Sequence, residues 1–488
     1  MNAIDLRMPL VPELAIFALA VIVLLAGLIR PHSTRAQGAP SGVEGPGRAI
    51  GWIAFVGLLA VLGLMYFAEE GRVLFGGMFV QDPLALFAKR LFVAATALSL
   101  FGSLTLRHPS FDRRAGEYHF ALLISLLGML VLVSARDLIL LFVAFELMSI
   151  PLYLLTGFLK HDAVAPEAAL KFFLIGTVSS AVIAYGMSFI YGITGGTALD
   201  LIPQALKDGH PVILLGMVIT LAGLGFKIAA FPFHMWAPDA YEAGTTPFIA
   251  WLSVAPKAAG FVAIIRLYIE GAGSTATIWV PLVATVAAAT IVTGNLMAIP
   301  QRNIKRLLAY SGVAHIGYML IGLAAFSSAG VAMVLFYLVA YLFGNMGAFM
   351  VVEAVARTEQ SDGIDAYRGL AQRSPLLALA MLVFLLSLGG IPFVAGFWAK
   401  LYVFLAAAER GMYGLVFLGA VLTVVALYYY LLVARRMYIE APSRPEPVPM
   451  PGLLGAAIAV CALGVVGIGV YPAPWVNVAQ RVASTLFK

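Results

Sequence analysis

Apolar stretches long enough to cross a bilayer recur fourteen times along the chain, at about 11–30, 50–68, 84–106, 118–135, 138–159, 167–192, 211–238, 247–269, 277–299, 303–326, 330–356, 375–408, 412–436 and 451–471. Polar intervals between them are short, and the longest, 31–49 and 357–374, are rich in Gly, Pro, Arg and Asp. Two of the runs are interrupted. In the seventh, Lys227 is followed by Pro232, whose ring lacks an amide hydrogen and clashes with the preceding turn, so the helix is expected to break near Ala229. In the twelfth, Gly389, Gly390 and Pro392 interrupt the run and Lys400 follows. Such breaks survive in hydrocarbon only where protein or water satisfies the freed carbonyls. Paired interrupted helices point to internal repeats. The spacing therefore predicts two five-helix repeats, helices 4–8 and 9–13, inverted in the membrane because the offset is odd. The corresponding division is 1–115, 116–275, 276–440 and 441–488: three leading helices, two repeats and a last helix.

Composition agrees with this pattern. With 62% hydrophobic and 11% charged residues among 488, the chain reads as an all-α polytopic membrane protein. The single cysteine, Cys461, excludes disulfides and cysteine-bound clusters within the chain. A net charge of +6 carried largely in short loops implies no nucleic-acid partner. The first run is full-length and lacks a basic start, so no cleavable signal is expected. With the N-terminus outside, inward loops hold sixteen basic residues, including Arg30, Arg35, Arg107 and Lys160, against seven outward, including Arg7 and Lys488. The positive-inside rule then predicts both termini on the outer side.

Seven basic residues fall within spans. Lys89, Arg90 and Arg266 lie near span ends, where snorkelling to the interface accounts for them. Lys171, Lys227, Lys257 and Lys400, with Glu146 near the middle of the fifth run, each cost at least about 2.5–3.5 kcal/mol unless paired or wetted. A shared polar track through the interior supplies a reason for all five. Glu146 and Lys227 make a candidate buried ion pair, either a switch or a static salt bridge. Lys257, following Pro256, is a candidate proton carrier, and Lys171 has Glu167 four residues earlier, so an ordinary i,i+4 pair competes. His234 and His315 are relay candidates, the alternative being satisfied hydrogen-bonding residues. No phosphate-binding loop, zinc spacing or nucleophile elbow is present. No cofactor is expected in the chain itself.

Several motifs, taken together and in order, resemble the antiporter-like membrane subunits of complex I, the proton-pumping NADH:quinone oxidoreductase. They are Phe145-Glu146-Leu-Met-Ser-Ile-Pro-Leu-Tyr153, Glu167-Ala-Ala-Leu-Lys171-Phe-Phe, Gly225-Phe-Lys227 through Pro232-Phe-His234-Met-Trp, Arg302 through His315-Ile-Gly-Tyr318, and Gly389-Gly-Ile-Pro392 through Lys400. The wording after Glu146 and the Ala-Pro-Lys257-Ala-Ala-Gly segment are most similar to the subunit N branch. The resemblance implies a charge pair at Glu146 and Lys227, a central proton carrier at Lys257, an outer connection at Lys400 and relay roles for His234 and His315. It also implies partner subunits holding flavin mononucleotide, iron–sulfur clusters and quinone, and a bacterial inner membrane location. A multi-subunit cation/proton antiporter, a membrane-bound hydrogenase, or a structural spacer of the membrane arm are the alternatives.

Overall fold

The structure is a computed structural model that describes residues 9–29, 46–106, 111, 113–159, 162, 164–207, 210–442, 444–450 and 452–487. Arg7, Arg30, Arg35, Arg107, Lys160 and Lys488, which enter the charge count, lie outside the described residues, as does most of the 31–49 interval. The leading part holds α1 (Val11–Ile29), α2 (Pro46–Leu64), a hairpin of β1 (Arg72–Leu74) and β2 (Phe79–Gln81), and α3 (Pro83–Ser103). Then come α4 (Ala115–Ser134), α5 (Leu138–Thr156), α6 (Val164–Thr194), α7 (Pro211–Ile228), α8 (Trp236–Ala243), α9 (Thr246–Leu252) and α10 (Ala255–Ile265). The second half holds α11 (Ala276–Ala298), α12 (Ile304–Ala324), α13 (Ser328–Glu359), α14 (Pro375–Gly389), α15 (Ala395–Ala408) and α16 (Tyr413–Tyr438), before α17 (Gly452–Val470) and α18 (Ala473–Ser484).

Among the described residues, thirteen helical segments are long and apolar enough to cross a membrane, and α14 with α15 make up the broken fourteenth. α12 and α13 are buried almost throughout, whereas only about a third of the residues of α2, α11 and α16 are buried, leaving the rest for lipid or other chains. Both expected breaks are present. α7 ends at Ala229, in the left-handed region at φ 59°, and α14 ends at Gly390, at φ 82°. In each case the capping amide bonds back to the last turn, at Gly225 O and Phe226 O or at Leu386 O and Ser387 O. The eighth run, expected to be continuous, is also interrupted. α9 stops at Leu252 and α10 restarts at Ala255, because Pro256 suits a first helical turn and not a helix interior.

Two backbone connections match across the repeats. Asp137 caps the start of α5, and Leu138 N–H and Leu199 N–H bond to Thr197 O and Arg136 O at 2.8 and 3.0 Å. Asn303 caps the start of α12, and Ile304 N–H and Ile364 N–H bond to Asp362 O and Arg302 O at 2.8 and 2.9 Å. Each is the start of the second span of its repeat, tied to the loop that follows the next span, in accord with a five-helix repeat.

The structure corrects the account of two span-end cations. Lys89 does not snorkel; it is fully buried, paired with Glu13 at 2.7 Å, bonded to Gln81 at 3.1 Å and covered by the Phe79 ring. Arg266 is equally buried, held by Asp82 and Glu270 and donating to Val133 O at 3.1 and 2.9 Å. The cause in both cases is cover: the hairpin lies over the end of α3, so no water reaches these heads. Burial opposes ionisation of Asp82, but the Arg266 guanidinium and the Ala85 amide outweigh it and hold the carboxyl below the usual range. Arg90 is half-buried and donates to Met65 O at 2.9 Å over the Tyr66 ring.

Candidate functional site

Lys227 lies in the last turn of α7, where the negative end of the helix favours a cation. Its side chain is buried among the rings of Phe145, Tyr153 and Phe172, and Nζ donates to Ser149 Oγ at 2.9 Å. Ser149 in turn donates to Phe145 O at 2.6 Å. Glu146 does not meet Lys227 in a direct ion pair; it accepts a hydrogen bond from Ser180 Oγ instead. The reason is helical phase. Glu146 sits on the stripe of Val143 and Ile150, which are exposed, while Ser149 and Phe145 turn inward to the lysine. Glu146 therefore acts on Lys227 through its field and not through contact.

Ser149→Ala removes the hydrogen-bond partner of this buried ammonium. It is expected to lower stability by about 1–3 kcal/mol, the cost of an orphaned buried donor. Thermal melting of the detergent-solubilised complex measures it, and unchanged melting would mean that Lys227 is satisfied elsewhere.

Lys257 occupies the first turn of α10, immediately after the unexpected break. It is buried, its Nζ lies 5.3 Å from the Tyr241 ring centre, and it has no hydrogen-bond partner among the described residues. His315, midway along α12, has Nδ1 2.7 Å from Tyr337 OH and Nε2 3.4 Å from Tyr430 OH. Tyr430 OH continues to Ser311 Oγ, and the Tyr341 ring lies 5.0 Å from the imidazole. Lys400 on α15 is also buried. It donates to Leu388 O at 2.9 Å and Gly389 O at 3.3 Å, the last carbonyls of α14, and lies 4.7 Å from the Tyr318 ring centre. The freed carbonyls of the second break are thus satisfied by a lysine.

Lys171 and His234 do not join this buried set. The Lys171 side chain is 49% exposed and pairs with Glu167 at 2.7 Å, as the i,i+4 spacing allowed, and with Asp239 at 3.5 Å. Asp239 and Glu242 also bind Arg306, at 2.7 and 2.8 Å, and a cavity of about 190 Å³ opens between Lys171, Glu167, Asp239 and Glu242. His234 lies in the link between α7 and α8, stacked on Phe231, and forms no hydrogen bond to Lys227, Lys257 or His315. Sequence reasoning missed Tyr337, Tyr341 and Tyr430. The available signal was Tyr337 and Tyr341 at helical spacing within a fully apolar run. No group of three metal-ligating side chains occurs among the described residues.

Residues 135–426 match the family described as NADH:quinone oxidoreductase/Mrp antiporter, TM. A subunit N of NADH-quinone oxidoreductase from Moorella thermoacetica is 41% identical over 97% of this chain and 98% of its own length. The chain belongs to the subunit N family. A second such subunit, from Desulforamulus reducens, is 39% identical over 97% of both chains. Among solved structures, a chain of respiratory complex I from Thermus thermophilus aligns at a TM-score of 0.79 with 30% identity, over 96% of this chain and 98% of that one. A chain of the Mrp complex from Dietzia sp. aligns at 0.83 with 20% identity, over 99% and 98%, which shows a shared fold. In this family setting the buried lysines gather at helix breaks: Lys227 before one, Lys257 after another, and Lys400 bonded across the third.

Proposed function

We propose that the chain carries protons along Lys227, Lys257, His315 and Lys400, as the subunit N component of a respiratory NADH:quinone oxidoreductase. One observation carries the reading: three buried ammonium groups, at helix breaks, none in direct ion pairing with a carboxylate among the described residues. A purely structural interior would not retain such groups, since each costs about 2.5–3.5 kcal/mol in hydrocarbon. Groups that gain and lose a proton in turn have a reason to stay. Glu146, on the outward stripe of α5, biases Lys227 when a neighbouring membrane subunit covers that face. The cavity at Lys171, Glu167, Asp239 and Glu242 serves as the inner collecting mouth, with His234 beside the first break.

Redox chemistry belongs to partner subunits that hold flavin mononucleotide, iron–sulfur clusters and quinone. The chain would span the bacterial inner membrane with both termini on the periplasmic side. Its working units are residues 116–275 and 276–440, flanked by 1–115 and 441–488.

Lys400→Met tests the reading. A side chain of similar reach keeps the packing but removes the charge that holds the end of α14. The complex is expected to assemble while proton pumping in vesicles falls by about a hundredfold, the lower range for loss of one proton-transfer group. Wild-type pumping per assembled complex would favour the spacer reading.

A further inference from the structure

Gly312 on α12 turns its bare Cα toward two groups that have no hydrogen-bond partner among the described residues, Lys257 Nζ and Tyr341 OH. A Cβ at this glycine would lie 2.9 Å from the tyrosine oxygen and 3.2 Å from the lysine nitrogen, with no other atom outside its own helical surroundings within 4 Å. Both groups are buried, so bulk water satisfies neither. They do not bond to one another, yet both reach the same point. Gly312 is not needed for a turn, since it sits within a regular helix where alanine is better by about 1 kcal/mol. Tyr341 also faces His315, its ring 5.0 Å from the imidazole.

We propose that Gly312 and Tyr341 are positioning residues for the proton step out of Lys257. The bare Cα of Gly312 lets both heads pack close enough for one water to bridge Lys257 Nζ and Tyr341 OH, and Tyr341 directs this bridge toward His315. In the transfer the ammonium loses a proton to the bridging oxygen, which gives up another toward the His315 imidazole, so Lys257 and the bridge end neutral and the imidazolium holds the charge. A methyl group on Gly312 crowds both heads and displaces the ammonium and the hydroxyl. The proposal rests on the proton-carrying reading of Lys257 and Lys400.

The test uses the intact complex in proteoliposomes, reading NADH-driven proton pumping and assembled complex in parallel. Gly312→Ala is expected to assemble normally but pump on the order of tenfold more slowly, the scale of a small displacement in a reacting pair. Tyr341→Phe, which removes only a hydroxyl, is expected to fall similarly, and the double variant no further. Wild-type pumping in both Gly312→Ala and Tyr341→Phe overturns the proposal. If Lys400→Met is also unimpaired, the conduction reading fails with it; if Lys400→Met is slow, only the role of Gly312 and Tyr341 is lost.

Discussion

Lys257→Met is expected to abolish proton translocation by this chain while making the chain more stable. Methionine matches the unbranched length of the lysine stem and fits irregular apolar space, so the packing around α10 survives. The ammonium it replaces has no hydrogen-bond partner and no ion pair among the described residues. Its removal therefore relieves a desolvation cost of about 2.5–3.5 kcal/mol without orphaning another group. Loss of the carrier is expected to lower pumping about a hundredfold or more, in line with deletion of one proton-transfer group. The two changes have opposite sign, which separates function from fold in one variant. Vesicle pumping normalised to assembled complex, together with the melting temperature, measures both. A variant that pumps normally, or that melts well below the wild type, would show that Lys257 is a structural cation.

Arg266→Met is expected to have the reverse profile. Here the cation is fully committed: Asp82 and Glu270 bind it and Val133 O receives two of its N–H groups. Removing it strands the Asp82 carboxylate and a carbonyl in a covered site, although Glu270 keeps Arg136 at 3.0 Å, and loss of one partner from a buried pair costs about 3–5 kcal/mol. Assembly should fall steeply and the melting temperature drop, while turnover of whatever complex assembles stays near normal. Adding Asp82→Asn should restore part of the loss, because the stranded charge is then gone. Full stability of the single variant would mean that water reaches the site.

The contrast between these lysine and arginine sites explains how much the sequence disclosed. Pro232, Gly389, Gly390 and Pro392 act through local sterics, so the seventh and twelfth breaks were legible, and buried lysines stand out in any apolar run. Pro256 carried the same kind of signal for the eighth run, but its place just inside a helix start concealed the break before it. The Glu146–Lys227 contact failed because one residue of helical phase decides whether a side chain faces inward, and Ser149 holds the inward place. Lys89 and Arg266 were misjudged because nearness to a span end says nothing of what folds over that end. Their partners Glu13 and Asp82 lie far away in sequence, at separations that periodicity does not address. The tyrosine hydroxyls around His315 were hidden for the same reason: a tyrosine in an apolar run looks like packing until its neighbours are known.

The bond from Lys400 to the last carbonyls of α14 has a mechanical consequence. Those carbonyls form the negative end of a helix, and an ammonium anchors them more firmly than a neutral amine does. Departure of the proton therefore slackens the joint between α14 and α15. By thermodynamic reciprocity, a pull that opens this joint must make the proton easier to release. On the proposed proton-carrying role of Lys400, a force delivered along the membrane by a neighbouring subunit and a proton leaving Lys400 would be interchangeable forms of work, with the hinge converting one into the other.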